Sequence, residues 1–355
     1  SRRAGLKAGK LCINFTNGEQ MSREGQIAKA IGFPRHQSLA WSASFRSASE
    51  LASHLKRLGK AYEAIQLSQG RLAGRISCTN FNSITILEIS SNQCLLLNGD
   101  RGPDFMSFCL ESSGVADDHK THTVAVPKYS INGFKANLKE SHFQLTANST
   151  TYFVITSANR INSILKQCDA EQLREQFLLC NSAQIGPSQH HKLKILLQQS
   201  INNTASNLSN PQQTGNSIIS HFLDSLASTK DINYHPLALT QRQLLVKNFI
   251  QLGFDHGNEN LRLDDISKQL FCSRRTLIQG TKDTFDMGPM ELFKTIRLEQ
   301  ANWMLRNKEA RAEASLQSVS DIAKHFNFYS RGHFARAYQN LFHENPRQTL
   351  QENAT

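Results

Sequence analysis

The pattern that most restricts this chain occurs twice near its C-terminal end. Leu263–Leu270 (LDDISKQL) spaces Ile266 and Leu270 as one apolar helical face and puts two carboxylates in the first turn, where they suit the helix dipole. Phe271-Cys272 leaves room for a tight connection, and Ser273 suits the N-cap of a following helix that carries Arg274, Arg275 and Lys282. The pattern returns at Val319–Phe326 (VSDIAKHF), with Asn327-Phe328-Tyr329 as the turn and Ser330 as the next N-cap. In the helix that follows, Phe334, Ala337, Tyr338 and Leu341 share one face, which turns Arg331, Gly332, Ala335, Arg336 and Gln339 outward. A short helix joined by a few residues to a second, basic helix describes a helix-turn-helix. Between the two units Pro289 opens a longer helix, with Leu292, Ile296, Leu298, Ala301, Met304 and Leu305 at its buried positions. Upstream, Leu244, Leu245, Asn248, Phe249 and Leu252 trace a helix that stops near Gly253 or Gly257. This arrangement is expected to place both basic helices on the same side of a rod.

The rest of the 355 residues reads differently. Ser83–Ser90, Cys94–Leu97, Phe105–Leu110, Thr123–Val126 and Tyr152–Thr156 are short apolar, β-like runs. Turn signals at Asn98-Gly99-Asp100, Arg101-Gly102-Pro103 and Asn132-Gly133 separate them and predict a compact sheet or small barrel. Residues 1–75 read as weakly helical, with Leu51, Leu55, Leu58, Tyr62 and Ile65 as one apolar stripe. Ile161, Ile164, Leu165 and Cys168 suit a helix that Leu173 and Phe177 continue, and Lys192–Leu197 is a further candidate. The polar stretch Asn202–Ser217 reads as a linker, followed by a helical face of Ile218, Ile219, Phe222, Leu223 and Leu226.

Charge alone does not assign a partner. Forty basic against 29 acidic side chains give +11, but residues 1–75 hold 13 and 4 of them, whereas residues 261–355 hold 14 and 11. The global excess favours polyanions without locating them in the C-terminal part. No apolar run approaches the ~20 residues of a membrane-spanning helix. Seven scattered cysteines without a CxxC pair read as reduced thiols in cytoplasm. Ser1–Phe15 is basic but precedes no apolar stretch of a secretory signal, and an organellar presequence is the alternative.

From about Thr240 to Leu350 the chain resembles the AraC/XylS transcription regulators. The resemblance rests on SRRTLIQGTKDTFDMGP (Ser273–Pro289), on Arg297-Leu298 with Ala301 and Leu305, and on VSDIAKHFNFYSRGHFARAYQNLFHENP (Val319–Pro346). The ending Asn345–Leu350 and the loop before Val319 look most like the branch containing the ethanolamine-utilisation regulator. The family usually has Phe at Thr281 and Gly at Asp286, Asn327 and His343. Asp, Asn and His tolerate a left-handed backbone better than most residues. Thr281 in place of a core aromatic implies a less stable first unit, or one repacked around Phe285 and Phe293.

The resemblance implies an α+β chain: an N-terminal mixed, β-rich, sensor-like domain followed by an all-α double helix-turn-helix domain. The expected division is 1–165 for an effector and dimerisation domain, 166–230 for a helical segment and linker, and 231–355 for DNA binding. One recognition helix would enter each of two successive major grooves. Matching positions give Arg275, Ile278 and Gln279, then Arg331, Gly332, His333 and Arg336, as base-facing. Arg274 and Lys282 are better suited to phosphate. Double-stranded promoter DNA, RNA polymerase, a small-molecule effector and a second copy of the chain are the implied partners, with no membrane, cofactor or metal.

Competing readings are an interaction module whose helix-turn-helix units no longer read DNA, and an enzyme in the N-terminal half with a regulatory tail. No GxSxG, HExxH, GxxxxGKS or GxGxxG motif occurs, so the enzyme reading lacks a recognisable centre. His119 and His122 read as surface histidines, the adjacent His190 and His191 point to different sides of a helix, and Cys272 reads as a buried structural thiol.

Overall fold

The computed structural model describes residues 40–102, 104–204, 210–227 and 232–353. The readings made on Ser1–Phe15, on Cys12 and on the centre of the expected linker lie outside these residues. Thirteen strands are described: β1 (Ala40–Phe45), β2 (Tyr62–Gln66), β3 (Gly74–Asn80), β4 (Ile84–Ser91), β5 (Leu95–Asp100), β6 (Phe105–Glu111), β7 (Lys120–Thr121), β8 (Val124–Ala125), β9 (Ser130–Asn132), β10 (Glu140–Leu145), β11 (Ser149–Ser157), β12 (Cys180–Gln184) and β13 (Asn233–Pro236). They form an eight-stranded sheet in the order β1-β3-β4-β11-β6-β9-β12-β13 and a five-stranded sheet in the order β2-β5-β10-β7-β8. Every pairing is antiparallel.

Strand alternation sorts the side chains into layers. From β4, β6 and β11, the residues Leu87, Ile89, Cys109 and Phe153 face Ala64, Leu95, Leu97, Phe143 and Leu145 of the smaller sheet. Their neighbours Ile84, Ile86, Phe108, Leu110, Tyr152 and Val154 face the other way, toward four helices. Those helices are α2 (Ala158–Gln167), α3 (Glu171–Leu179), α4 (Pro187–Thr204) and α5 (Pro211–Ala227). Phe108 sits at the centre, within 6.4 Å of the rings of Phe134, Phe177 and Phe222.

Several expectations are corrected here. The stripe proposed for Leu51 to Ile65 is split. Helix α1 (Ala48–Arg57) buries Leu51 and Leu55, with Leu58 at its C-cap, but Gly59 is left-handed and ends it. The Gly59 and Lys60 N–H groups return to the Lys56 and Leu55 carbonyls, a Schellman closure, so Tyr62 and Ile65 fall on β2 instead. Asn98-Gly99-Asp100 lies within β5 rather than in a turn. Gly99 is needed there for close approach, because a Cβ would come within 2.3 Å of the Ala61 carbonyl oxygen. Leu173 and Phe177 sit on a separate helix after left-handed Asp169.

The expected linker is largely helix. Helix α4 runs to Thr204, and Asn210 accepts from the Gln213 N–H at 3.1 Å to cap α5, with Pro211 in the first turn. Just past the expected boundary at residue 231, pairing with the N-terminal unit continues. Strand β13 adds to β12 at the edge of the large sheet, so the chain returns to the N-terminal unit before it enters the C-terminal helices.

His119 and His122 are buried, at 1% and 3% exposure, rather than on the surface. No group of three or more His, Cys, Asp or Glu among the described residues could hold a metal ion. His190 is buried, with its Nε2 2.8 Å from the Glu111 carbonyl oxygen, while His191 is exposed. Among the described residues no helix is long and apolar enough to cross a membrane.

The C-terminal unit is all helix: α6 (Gln241–Asp255), α7 (Leu263–Gln269), α8 (Arg274–Phe285), α9 (Pro289–Arg306), α10 (Lys308–Glu313), α11 (Val319–His325), α12 (Arg331–Phe342) and α13 (Pro346–Glu352). Two apolar cores share α9. Leu292, Phe293 and Ile296 belong to the first, with Val246, Phe249, Ile266 and Leu277. Leu298, Ala301, Met304 and Leu305 belong to the second, with Ile322, Phe334, Tyr338 and Leu341.

Candidate nucleic-acid interface

Each basic helix is fixed by a local cap and a buried apolar face. Ser273 Oγ accepts from the Thr276 N–H at 3.1 Å, and Ser330 Oγ accepts from the His333 N–H at 3.4 Å. Helix α8 ends at left-handed Asp286 and α12 at left-handed His343, and Asn327 in the second turn is left-handed as well. All three positions where the resemblance implies glycine therefore adopt the glycine-favoured conformation. Ser273→Ala is expected to cost about 1 kcal/mol of stability, measured by urea unfolding, because an orphan N–H replaces the cap.

Thr281 is fully buried in α8, and its hydroxyl lies 3.1 Å from the Leu277 carbonyl oxygen and 3.2 Å from that of Ile278. Phe249 of α6, Phe293 of α9 and Phe285 at the end of α8 itself fill the surrounding core, so the aromatic content of the first unit comes from other positions.

The structure places the sequence-predicted residues as follows. Arg274, Arg275, Gln279 and Lys282 are exposed along α8, and Ile278 is half-buried. Arg274 Nε pairs with Asp264 of α7 at 2.9 Å, both side chains more than half exposed. Such a surface pair is weak and can exchange its carboxylate for a phosphate. Gln279 donates to Asp283 at 2.6 Å, and Asp283 also accepts from Arg242 at 2.7 Å. The Gln279 hydrogen bond and then that of Arg242 hold the Asp283 carboxyl below its ordinary value.

On α12, Arg331, Gly332, His333 and Arg336 are all exposed, and Arg331 Nε donates to Ser320 Oγ at 3.2 Å. The side chains of Arg275, Lys282, His333 and Arg336 make no hydrogen bond or ion pair with any described residue. Nothing lies within 4 Å of a Cβ built on Gly332. Gly332→Ala is therefore expected to raise stability by roughly 0.5–1 kcal/mol, measured by thermal unfolding.

Sequence reasoning missed two sets of residues. Phe271 is 97% exposed and left-handed in the first turn, and Tyr329 is 73% exposed in the second. Their signal was an aromatic between helices with no periodic face to join. The second set ties the two units together. The buried Glu299 of α9 accepts from the Gln66 N–H of β2 at 2.7 Å. The Leu341 carbonyl of α12 accepts from the Gly70 N–H at 2.9 Å. Arg306 pairs with Glu344 at 2.6 Å and stands 3.8 Å from Glu50 of α1.

With this geometry in hand, residues 266–352 match the family described as a helix-turn-helix domain. The C-terminal region thus contains a helix-turn-helix domain. Among curated relatives, the HTH-type transcriptional activator RhaS of Escherichia coli O157:H7 (strain EC4115 / EHEC) is 31% identical over 97 residues, which are 27% of this chain and 32% of RhaS. The chain thus spans about a third of the length of the curated relatives it matches. Among solved structures, an AraC-type regulator from Chromobacterium violaceum is 26% identical, covering 32% of this chain and 95% of that one, with a TM-score of 0.29. ToxT from Vibrio cholerae O395 is 12% identical, covering 89% of this chain and 98% of that one, with a TM-score of 0.32.

Proposed function

We propose that this chain is a sequence-specific, DNA-binding transcription regulator, an activator that responds to a small-molecule effector and is not an enzyme. The observation that carries the reading is the pair of serine-capped helices whose outward side chains Arg275, Lys282, His333 and Arg336 have no hydrogen-bond or ion-pair partner among the described residues. In this reading α8 and α12 enter successive major grooves. Arg275, Arg331 and Arg336 suit guanine, Gln279 suits adenine, and Ile278 suits a thymine methyl. His333 and Gly332 face the same groove, while Arg274, Lys282 and the two helix N-termini hold phosphates and set position. Residues 231–355 form the DNA-binding region, and the β-rich unit receives the effector and pairs two copies. The protein works in the cytoplasm with promoter DNA and RNA polymerase. The likeness to the ethanolamine-utilisation branch rests on the C-terminal ending and one loop, and does not extend to the effector.

Selection of random duplexes by the full chain, followed by a salt titration of the winner, tests the reading. The expected result is a bipartite site with half-sites about one helical turn apart, weakened as salt rises. Binding without sequence enrichment, or no binding, would count against it.

A further inference from the structure

The two serine-capped helices are joined by more than α9. Among the described residues, one hydrogen bond runs directly from the second helical unit (308–353) to the first (241–287). Asn327 Nδ2 donates to the Asn258 carbonyl oxygen at 2.7 Å. Asn327 stands in the turn that leads into the Ser330 cap of α12, and Asn258 lies in the loop between α6 and α7.

Both partners are themselves held. Tyr329 Oη donates to Asn327 Oδ1 at 2.9 Å, which leaves the amide nitrogen turned toward Asn258. The loop is fastened to α9 by Arg297, whose Nε donates to the Gly257 carbonyl at 3.0 Å and whose Nη2 donates to the Glu259 carbonyl at 2.5 Å. The same guanidinium lies 4.3 Å from the centroid of the Phe293 ring. Gln300 Nε2 adds a bond to the Phe254 carbonyl at 2.8 Å. Gly257 is buried beneath Gln300, where a Cβ would come within 1.8 Å of Oε1, so glycine is what lets the loop lie this close to α9. His256 Nδ1 and Glu259 Oε1, 2.7 Å apart, close the loop on itself.

The other ends of the two helices are tied to the N-terminal unit. Lys120 Nζ donates to the Thr284 carbonyl near the end of α8, and the Gly70 N–H donates to the Leu341 carbonyl near the end of α12. The Asn327 bond therefore restrains the opposite end of α12, the one that presents Arg331 and His333. The residue type is informative as well. Asn327 is left-handed, with φ 62°, where glycine carries no steric cost. The resemblance implies glycine here, and a glycine would close the turn but could not reach the first unit.

We infer that Asn327 is a positioning residue that locks the second turn onto the first unit, fixes the separation of α8 and α12, and so sets the half-site spacing the chain accepts. The inference rests on the reading of α8 and α12 as the helices that enter DNA. One base pair added or removed between half-sites shifts the second by about 3.4 Å along the duplex and roughly 35° around it. To follow that shift the chain must break the Asn327 bond. A neutral hydrogen bond of this kind weights an equilibrium by about fivefold.

The test compares full-length wild type with Asn327→Gly on the selected duplex and on duplexes with one base pair inserted or removed between half-sites, by fluorescence anisotropy at fixed salt. Asn327→Gly is expected to bind the selected duplex within about twofold of wild type, and the altered spacings about fivefold more tightly than wild type does. Discrimination against base changes inside either half-site should stay as in wild type. Tyr329→Phe, which frees the Asn327 amide to turn, should give part of the same gain. A gain of binding cannot come from misfolding, and glycine suits this backbone. Equal spacing discrimination by wild type and Asn327→Gly would overturn the inference.

Hydrogen exchange on the full chain without DNA reads the bond apart from the regulator reading. Amides of residues 256–261 are expected to exchange about fivefold faster in Asn327→Gly. Unchanged exchange would mean that the bond does not hold the loop, and the inference falls. Faster exchange in a chain that selects no duplex would keep the bond but overturn the regulator reading, and the spacing role with it.

Discussion

The double variant Arg275→Ala/Arg336→Ala is expected to lose at least ~30-fold of its affinity for the selected duplex, measured by fluorescence anisotropy at fixed salt. A bidentate arginine–guanine contact discriminates by about 1–3 kcal/mol, and the two residues lie in separate units with separate cores, so their losses should add. Both side chains are exposed and make no hydrogen bond or ion pair with any described residue, so unfolding stability should stay within about 0.5 kcal/mol of wild type. That separation gives the experiment its force, because a loss of binding could not then be blamed on misfolding. Lys282→Ala is expected to behave differently. It should weaken selected and random duplexes alike and reduce the salt slope by about one. If the double variant binds the selected site as wild type does, the two helices do not read bases.

The second large effect concerns pH, and two sets of buried groups pull in opposite directions. Burial pushes His119 down to about 4 and His122 and His142 down to about 3. Lys247 and Arg101 add to the effect at His122, and His122 and Lys247 add to it at His142. A depressed histidine contributes stability above its unfolded value of about 6.5, and loses it as pH falls toward the folded value. At about pH 5 each buried imidazole therefore costs roughly 2 kcal/mol, in a chain whose total is on the order of 5–15 kcal/mol.

Glu299 has the opposite sign. Burial raises it to about 8, against the Gln66 N–H and Arg306, so its contribution is present below about 4.5 and is lost as pH rises through 8. His142→Asn should keep about 2 kcal/mol more of its neutral-pH stability at about pH 5 than wild type does. Glu299→Gln leaves an acceptor for the Gln66 N–H and should remove about 2–3 kcal/mol of the decline between about pH 6 and 8. Urea unfolding across pH reads both. Parallel profiles for wild type and the two variants would show that these groups are not buried as described.

The sequence disclosed the C-terminal unit better than the N-terminal one, for a physical reason. Ser273, Ser330 and Pro289 act within three or four residues of where they stand, and the apolar faces of α8, α9 and α12 repeat along a single helix. Local interactions of that kind can be read one segment at a time. The sandwich cannot, because its pairings join distant stretches. Strand β1 pairs with β3, and β13 travels back to β12. Asn98-Gly99-Asp100 has turn composition, yet the approach of Ala61 makes it strand. His119 and His122 carry no mark of burial in sequence, and nothing in the residues around Glu299 announces a partner 233 positions away. The positions proposed to face the bases were accessible only as one face of a helix whose opposite face was plainly apolar.

The return of β13 to the sheet also sets how far the C-terminal unit can stray. Pro236 is paired in the sheet, the Leu237 N–H still donates to the Leu179 carbonyl at 3.1 Å, and α6 begins at Gln241. Only a short leash remains, and at ~3.3–3.6 Å per residue it extends little more than about 10 Å. Two copies on one promoter would thus present their reading heads at a span dictated by where the sheets meet, with almost no slack to search for a second half-site. Lengthening that leash with glycine and serine should relax the spacing preference and lower the effective concentration of the second head.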